Sequence, residues 1–323
     1  MHRRLSGLIL TLLVLPVASA HAGGSFYGIQ PGARPQVEGK ITEWSVPTPQ
    51  FARDPAPAPD GSIWITVMNA DKLARFDSIS KQFKEYDLPR GSRPHGALVD
   101  REGQVWYTGN GNGKMGRLDP TTGKVTEYPA PSGGDPHTLI QDGDGIIWFS
   151  VQSGNRIGRL DPKTGRITEY NAPGRPYGIT LDRQGNVWYC GFGGNRLGKL
   201  DPKTGKVTEI TLPRGSTPRR MATAPDGMIW VTLYGSGKLL RVDPATLQMK
   251  EYALPAGSGA APYAVNVDGS GAVWVNEFSA DTIVRLDPKT AEMRVFKIPT
   301  ANAGVRKMAV DAQGRLWYMG SHS

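Results

Sequence analysis

Seven tryptophans set the terms for this chain. Trp64, Trp106, Trp148, Trp188, Trp230, Trp274 and Trp317 follow one another at intervals of 42, 42, 40, 42, 44 and 43 residues. A period of that length marks a repeat architecture, in which each copy is one supersecondary unit. The stretch from Asp135 to Pro173 shows the unit most clearly. Its apolar runs HTLIQ, IIWFSVQ, RIGRLD and RITEYNA are separated by DGDG, SGN and PKTG. Those turns supply the Gly and Asx-type residues that tight hairpins need. Each copy therefore reads as a four-stranded antiparallel meander. With 41 Gly, 26 Pro and no helical periodicity, the chain is expected to be all-β. Seven such units predict a seven-bladed β-propeller. A Trp at one fixed place per copy is read as packing between neighbouring sheets.

The ends of the chain predict how the ring closes. Gly39-Lys40-Ile41-Thr42-Glu43-Trp44 matches the fourth-strand pattern but precedes the first repeat, whereas the last repeat stops after its second strand. The N-terminal segment is thus expected to add a strand to the last blade. The third strand of that blade is either supplied by residues 25–33 or absent. Residues 1–22 have the pattern of a secretory leader: Arg3 and Arg4, an apolar run from Leu8 to Val17, then small residues before Ala22. Residues 23–37 read as a Gly/Pro-rich arm, and 38–323 as the propeller. The expected location is secreted or periplasmic, with no membrane span in the mature chain. Cys190 is the only cysteine, so no disulfide within the chain can contribute to stability. The net charge of +9 is spread over the repeats rather than blocked, and no nucleic-acid-binding motif accompanies it. Charged residues on the fourth strands argue for a monomer.

Counting eleven residues back from each Trp gives Arg53, His95, His137, Tyr177, Arg219, Tyr263 and Arg306. None is aliphatic. In a propeller the first strand of each blade lines the central channel, so these seven are expected to converge at one mouth of it. The ends of the second strands return there, bringing Asn110, Gln152, Phe192, Tyr234, Glu277 and Phe278. Such a set suits an oxygen-rich or anionic ligand. A His pair can act as a general base near neutral pH, and three Arg can hold a carboxylate or phosphate. No Gly-x-Ser-x-Gly elbow is present to support a serine nucleophile.

The repeated pattern P-x-G-I…D-x-x-G-x-[IVL]-W-[FY]…N-[RK]-[IL]-G-[RK]-[IL], followed by I-T-E-[YF]-x-[LI]-P, resembles the virginiamycin B lyase (streptogramin lyase) family. Arg175-Pro176-Tyr177-Gly178-Ile179 through Asn195-Arg196-Leu197-Gly198-Lys199 is a good copy, and the resemblance spans about Gly39 to Ser321. It implies two His at the ring position of consecutive blades, each after Pro, with an acidic residue two before the second. His95, His137 and Asp135 match, and Tyr177 matches a ring Tyr of the next blade. The implied reaction is elimination. His137 removes a proton α to a carbonyl, a divalent ion (Mg²⁺, with Asp135 as a ligand) polarises that carbonyl, and a cyclic depsipeptide lactone opens. This would make the protein an antibiotic-resistance enzyme. Tyr177, Arg53, Arg219, Tyr263, Arg306, Asn110 and Gln152 would bind the substrate. Two departures stand out: Gln152 occupies a position where the family has Glu, and the His pair lies in blades two and three rather than beside the ring closure. The alternative function is a non-catalytic exported propeller that binds an anionic small molecule or a protein partner at the same mouth.

Overall fold

Five of the seven repeats place an Asp six residues before the Trp: Asp100, Asp142, Asp182, Asp268 and Asp311. In the computed structural model, which describes residues 39–322, each of these carboxylates fixes a turn and a ring together. One oxygen accepts the backbone N–H groups two and four residues on, closing the hairpin between the first two strands. Asp182 Oδ1, for example, takes Gln184 N at 3.0 Å and Asn186 N at 2.9 Å. The other oxygen accepts the indole N–H at 2.7–2.9 Å, so the polar edge of a buried Trp is satisfied. Trp148 then packs between its own sheet and Leu181, Val187 and Tyr189 of the next. The leader at 1–22 and the arm at 23–37 lie outside the described residues.

The third strand explains its own glycine. Gly116, Gly158 and Gly198 face Tyr107, Phe149 and Tyr189 across the ladder. A Cβ at Gly158 would sit 2.1 Å from the Phe149 ring. Where the facing residue is aliphatic, the position holds a larger side chain, as in Ile65–Ala74, Val231–Leu240 and Val275–Val284.

The architecture is an all-β propeller of four-stranded antiparallel blades, but six blades are complete, not seven. Their first strands are Ala52–Pro57, Pro94–Val99, Pro136–Gln141, Pro176–Leu181, Pro218–Thr223 and Pro262–Val267. The seventh repeat forms a two-stranded sheet, Met308–Val310 with Leu316–Tyr318. Its inner strand lies between the first strands of blades 6 and 1, so this short unit closes the circle.

The strand expected at residues 39–44 does not form. Any third strand supplied by residues 25–33 lies outside the described residues, and among the described residues the fourth has no ladder to join. Strands sit about 4.8 Å apart, so a chain in the fourth place is one full spacing beyond hydrogen-bond reach of the second. A groove of about 930 Å³ separates the segment from Trp317 and Met319. The contact is made by side chains instead. Glu43 accepts the Tyr318 hydroxyl at 2.6 Å and the Thr300 hydroxyl at 2.7 Å, and Trp44 lies 6.1 Å from Trp317.

At the channel end every complete blade carries the same β-bulge, in which two first-strand residues oppose one second-strand residue. The sets are Arg53-Asp54 with Thr66, His95-Gly96 with Thr108, His137-Thr138 with Ser150, Tyr177-Gly178 with Cys190, Arg219-Arg220 with Thr232, and Tyr263-Ala264 with Asn276. A bulge takes one N–H out of the ladder. Here the opposing side chain accepts it and also donates to the next blade. Thr108 Oγ1 takes Gly96 N at 2.8 Å and donates to His137 O at 2.8 Å. Thr66 links Asp54 N to His95 O, and Ser150 links Thr138 N to Tyr177 O. Thr232 and Asn276 repeat the relay toward Tyr263 and Val305. In blade 4 the place belongs to Cys190, whose thiol is a weak donor and acceptor.

Replacing Thr108 by the isosteric Val removes both bonds and leaves two buried backbone groups unpaired. The expected loss is about 1–3 kcal/mol, read from the urea midpoint. Cys190→Ser, which supplies the missing hydroxyl, is expected to be neutral or stabilising. A Thr108→Val protein as stable as the parent would remove the relay from the account of the fold.

Candidate functional site

Strict strand alternation would send neighbouring side chains to opposite faces. The bulge re-aims them, so each first strand offers the channel both a ring residue and the residue after it. Of the predicted ring, Arg53, His95, His137, Tyr177 and Tyr263 are buried together around the axis, and Arg219 and Arg306 are half-buried. One arc is a column of rings in close contact. The rings of His95 and His137 are 3.6 Å apart between centroids, His137 and Tyr177 are 4.0 Å apart, and Phe192 stacks on Tyr177 at 4.7 Å. The Tyr177 and Tyr263 hydroxyls hydrogen-bond across the channel from blades 4 and 6. The other arc interleaves cations and rings. The Arg219 guanidinium lies 4.3 Å from the Phe192 ring and 4.7 Å from Tyr234, and that of Arg306 lies 5.0 Å from Phe278. Arg306 also meets His322, with Nη2 and Nε2 3.0 Å apart.

The electrostatics follow from burial and from these cations. His95 and His137 are both held well below the ordinary imidazole value, first by desolvation and then by the charges of Arg53 and Arg220. Both are therefore neutral at neutral pH. His137 Nδ1 is 3.1 Å from Thr138 Oγ1, which also accepts Arg220 Nη1 at 2.6 Å.

Asp54, Thr138 and Arg220 form a second row just inside the first, and the repeat-by-repeat count did not single them out. Arg220 is 2% exposed, its Nη2 lies 3.8 Å from Asp54 Oδ2, and its guanidinium covers the Tyr177 ring at 5.2 Å. Burial raises the Asp54 carboxyl above its usual range, opposed by Arg220 and Arg53. Burial also lowers Lys307 to about 7. The signal for this row was present two residues after each Trp: Thr66, Thr108, Ser150, Cys190, Thr232 and Asn276 are small polar residues on a buried strand. Such a residue is needed only where a backbone N–H has left the ladder.

Two expected participants have other occupations. Asp135 Oδ1 takes Ser153 N at 2.5 Å and the Ser153 hydroxyl at 2.7 Å, pinning the loop that leaves the second strand of blade 3. Asn110 Nδ2 donates to Pro136 O at 3.2 Å. Gln152 is buried at the end of the same second strand as Ser153's loop. Among the described residues no three His, Cys, Asp or Glu side chains converge on one point. The two imidazoles face arginines rather than carboxylates. This donor set does not fit Mg²⁺, a hard cation that takes oxygen ligands, above all carboxylates.

Known proteins with this fold bear on the site. The model of the virginiamycin B lyase family matches residues 32–175 and 91–323. A streptogramin B lyase structure is 28% identical, with 87% of this chain and 94% of that chain covered and a TM-score of 0.79. The virginiamycin B lyase from Staphylococcus aureus is 24% identical over 88% of this chain and 97% of its own, with a TM-score of 0.80. A catalytically inactive histidine-to-alanine variant from Staphylococcus aureus, solved with quinupristin, is 25% identical over the same shares, with a TM-score of 0.79. No curated protein matches the sequence. The family model alone spans nearly all of the propeller, and its repeats are the repeats described above: the chain belongs to the virginiamycin B lyase family.

Proposed function

We propose that the protein is a carbon–oxygen lyase that opens a cyclic depsipeptide lactone of the streptogramin B type. The observation that carries this reading is the close His95–His137 pair, two buried neutral imidazoles at the mouth of a channel otherwise ringed by aromatic and cationic groups. In the tautomer that carries its proton on Nδ1, 3.1 Å from Thr138 Oγ1, His137 has its lone pair on Nε2. It takes the proton from the carbon α to a carbonyl. The electron pair becomes a Cα=Cβ double bond, the Cβ–O bond of the ester breaks, and a carboxylate leaves. Product and substrate are isomers, because no water is consumed.

The other residues assist this step. Tyr177, held by Tyr263, packs on His137 and fixes the plane of its ring. Arg53, Arg219, Arg306 and Gln152 are assigned to the substrate carbonyls and the departing carboxylate. Because Asp135 is committed to Ser153 and arginines surround the histidines, no step is routed through Mg²⁺. Electrostatic stabilisation of the developing negative charge comes from guanidinium groups. We place the protein outside the cytoplasm, where it would meet such an antibiotic before the antibiotic entered the cell. No helix of the described residues is long and apolar enough to cross a membrane. The surplus of arginines favours a second reading, capture of an anionic ligand without turnover.

Incubation of the purified protein with quinupristin is expected to give a ring-opened product of unchanged mass. A product heavier by one water, or intact antibiotic, would count against the lyase. His137→Ala is expected to lower turnover by about a hundredfold or more, the usual worth of a positioned base. The base must be neutral to act. Because both imidazoles are held below 6.5, kcat/KM is expected to stay level as the pH falls from 8 to 6.5 and to decline only below it. An acid limb centred above pH 6.5 would exclude these histidines as the base.

A further inference from the structure

The channel just inside the mouth holds more buried donors than acceptors. Arg53 and Arg220 are 6% and 2% exposed. Arg220 Nη1 donates to Thr138 Oγ1 at 2.6 Å, which fixes the plane of the guanidinium. Its Nε and Nη2 have no hydrogen-bond partner among the described residues, and neither do Nε and Nη2 of Arg53. In a guanidinium these two N–H groups point the same way. They form the edge that grips an oxyanion through two parallel hydrogen bonds. Two buried arginines in one cluster thus present the same edge, and both edges are unpaired. Both arginines act on the same neighbours, His95, His137, Tyr177 and Asp54.

Asp54 does not balance this charge. Its Oδ2 is 3.8 Å from Arg220 Nη2, beyond hydrogen-bond reach, and its Oδ1 has no partner. One carboxylate against two guanidinium groups leaves the cluster cationic, and Arg219, with Nη1 also unpaired, adds to it from the rim. Buried charge without a partner is strongly unfavourable. Both nitrogens of His95 are buried and unpartnered as well, so its one N–H can serve the same ligand.

We propose that Arg53 and Arg220, with His95 as a third donor, form an oxyanion-binding pocket within the channel. The group bound is a carboxylate, sulfate or phosphate. It is either a free small ion or the acidic end of a larger molecule whose body rests on the aromatic rim of Phe192 and Tyr234. The pocket deepens the second reading, capture of an anionic ligand, and shares Arg53 with the lyase reading; it requires binding only, and it holds if no lactone is ever opened.

Titration calorimetry of the purified protein in a chloride-free buffer tests this with three probes: acetate, sulfate and N-acetylphenylalanine. One-site binding is expected, weakened by about tenfold or more in Arg220→Met and in Arg53→Gln, each of which loses a bidentate partner. Arg183→Gln, on an exposed loop, is expected to bind as the parent does. Tighter binding of N-acetylphenylalanine than of acetate identifies the acidic end of a larger molecule as the ligand. Acetate and sulfate binding with no gain from the aromatic group identifies a small-ion pocket. If Arg220→Met fails to fold, Arg53→Gln carries the test. No saturable binding of any probe at millimolar concentration, or unchanged affinity in Arg53→Gln, would overturn the proposal.

Discussion

A backbone N–H forced out of its ladder in a dry interior must find an acceptor, and five of the six complete blades meet that demand with a side chain at the same place. The bulge that creates the demand also turns two consecutive side chains toward the axis. The side chain that meets it sits across the sheet and reaches on to the carbonyl of the neighbouring blade. One small residue, Thr108 for instance, therefore holds its own bulge and positions His137 in the blade beside it. The features that shape the channel and those that bind blade to blade are the same bonds. In this arrangement the site cannot shift independently of the ring.

That coupling lets the fold tolerate an unusual interior. Around the axis lie two imidazoles, two tyrosines and several cations, a collection that would destabilise an isolated core. Here it is supported by the apolar layers between sheets, where Trp, Val, Ile and Leu side chains are almost wholly buried. The cations in turn keep the histidines unprotonated. An imidazole beside Arg53 and Arg220 has little capacity for a second positive charge, which is the property a proton acceptor near neutrality needs. The same charges disfavour a divalent metal. The arginines and the departure at Gln152 thus point the same way: guanidinium groups, rather than carboxylates, furnish this mouth.

Much of this was legible in the chain. The Trp period fixed the repeat, and counting back from it found the residues at the mouth, because every blade keeps the same spacing between its turn and its indole. The second row escaped for a definite reason. Alternation assigns Asp54, Thr138 and Arg220 to the face away from the axis, and only the bulge brings them in. The extra residue of a bulge looks like any other strand residue in the sequence, so its trace is indirect, in the small polar residue two places after each Trp. The hold of Asp135 on Ser153 escaped because a sequence lists acids without showing which backbone groups they accept from.

The clasp between Glu43 and Tyr318 joins residues 275 apart in sequence. A ring secured by such a contact cannot be completed while its last repeat is still unmade. During synthesis from the N-terminus, each finished sheet exposes one apolar flank until its successor arrives, and the first and last flanks wait longest. The seam between the two-stranded unit and blade 1 is therefore both the final joint to form and the natural first joint to part. Topology thus assigns this protein a start and an end that a closed circle conceals.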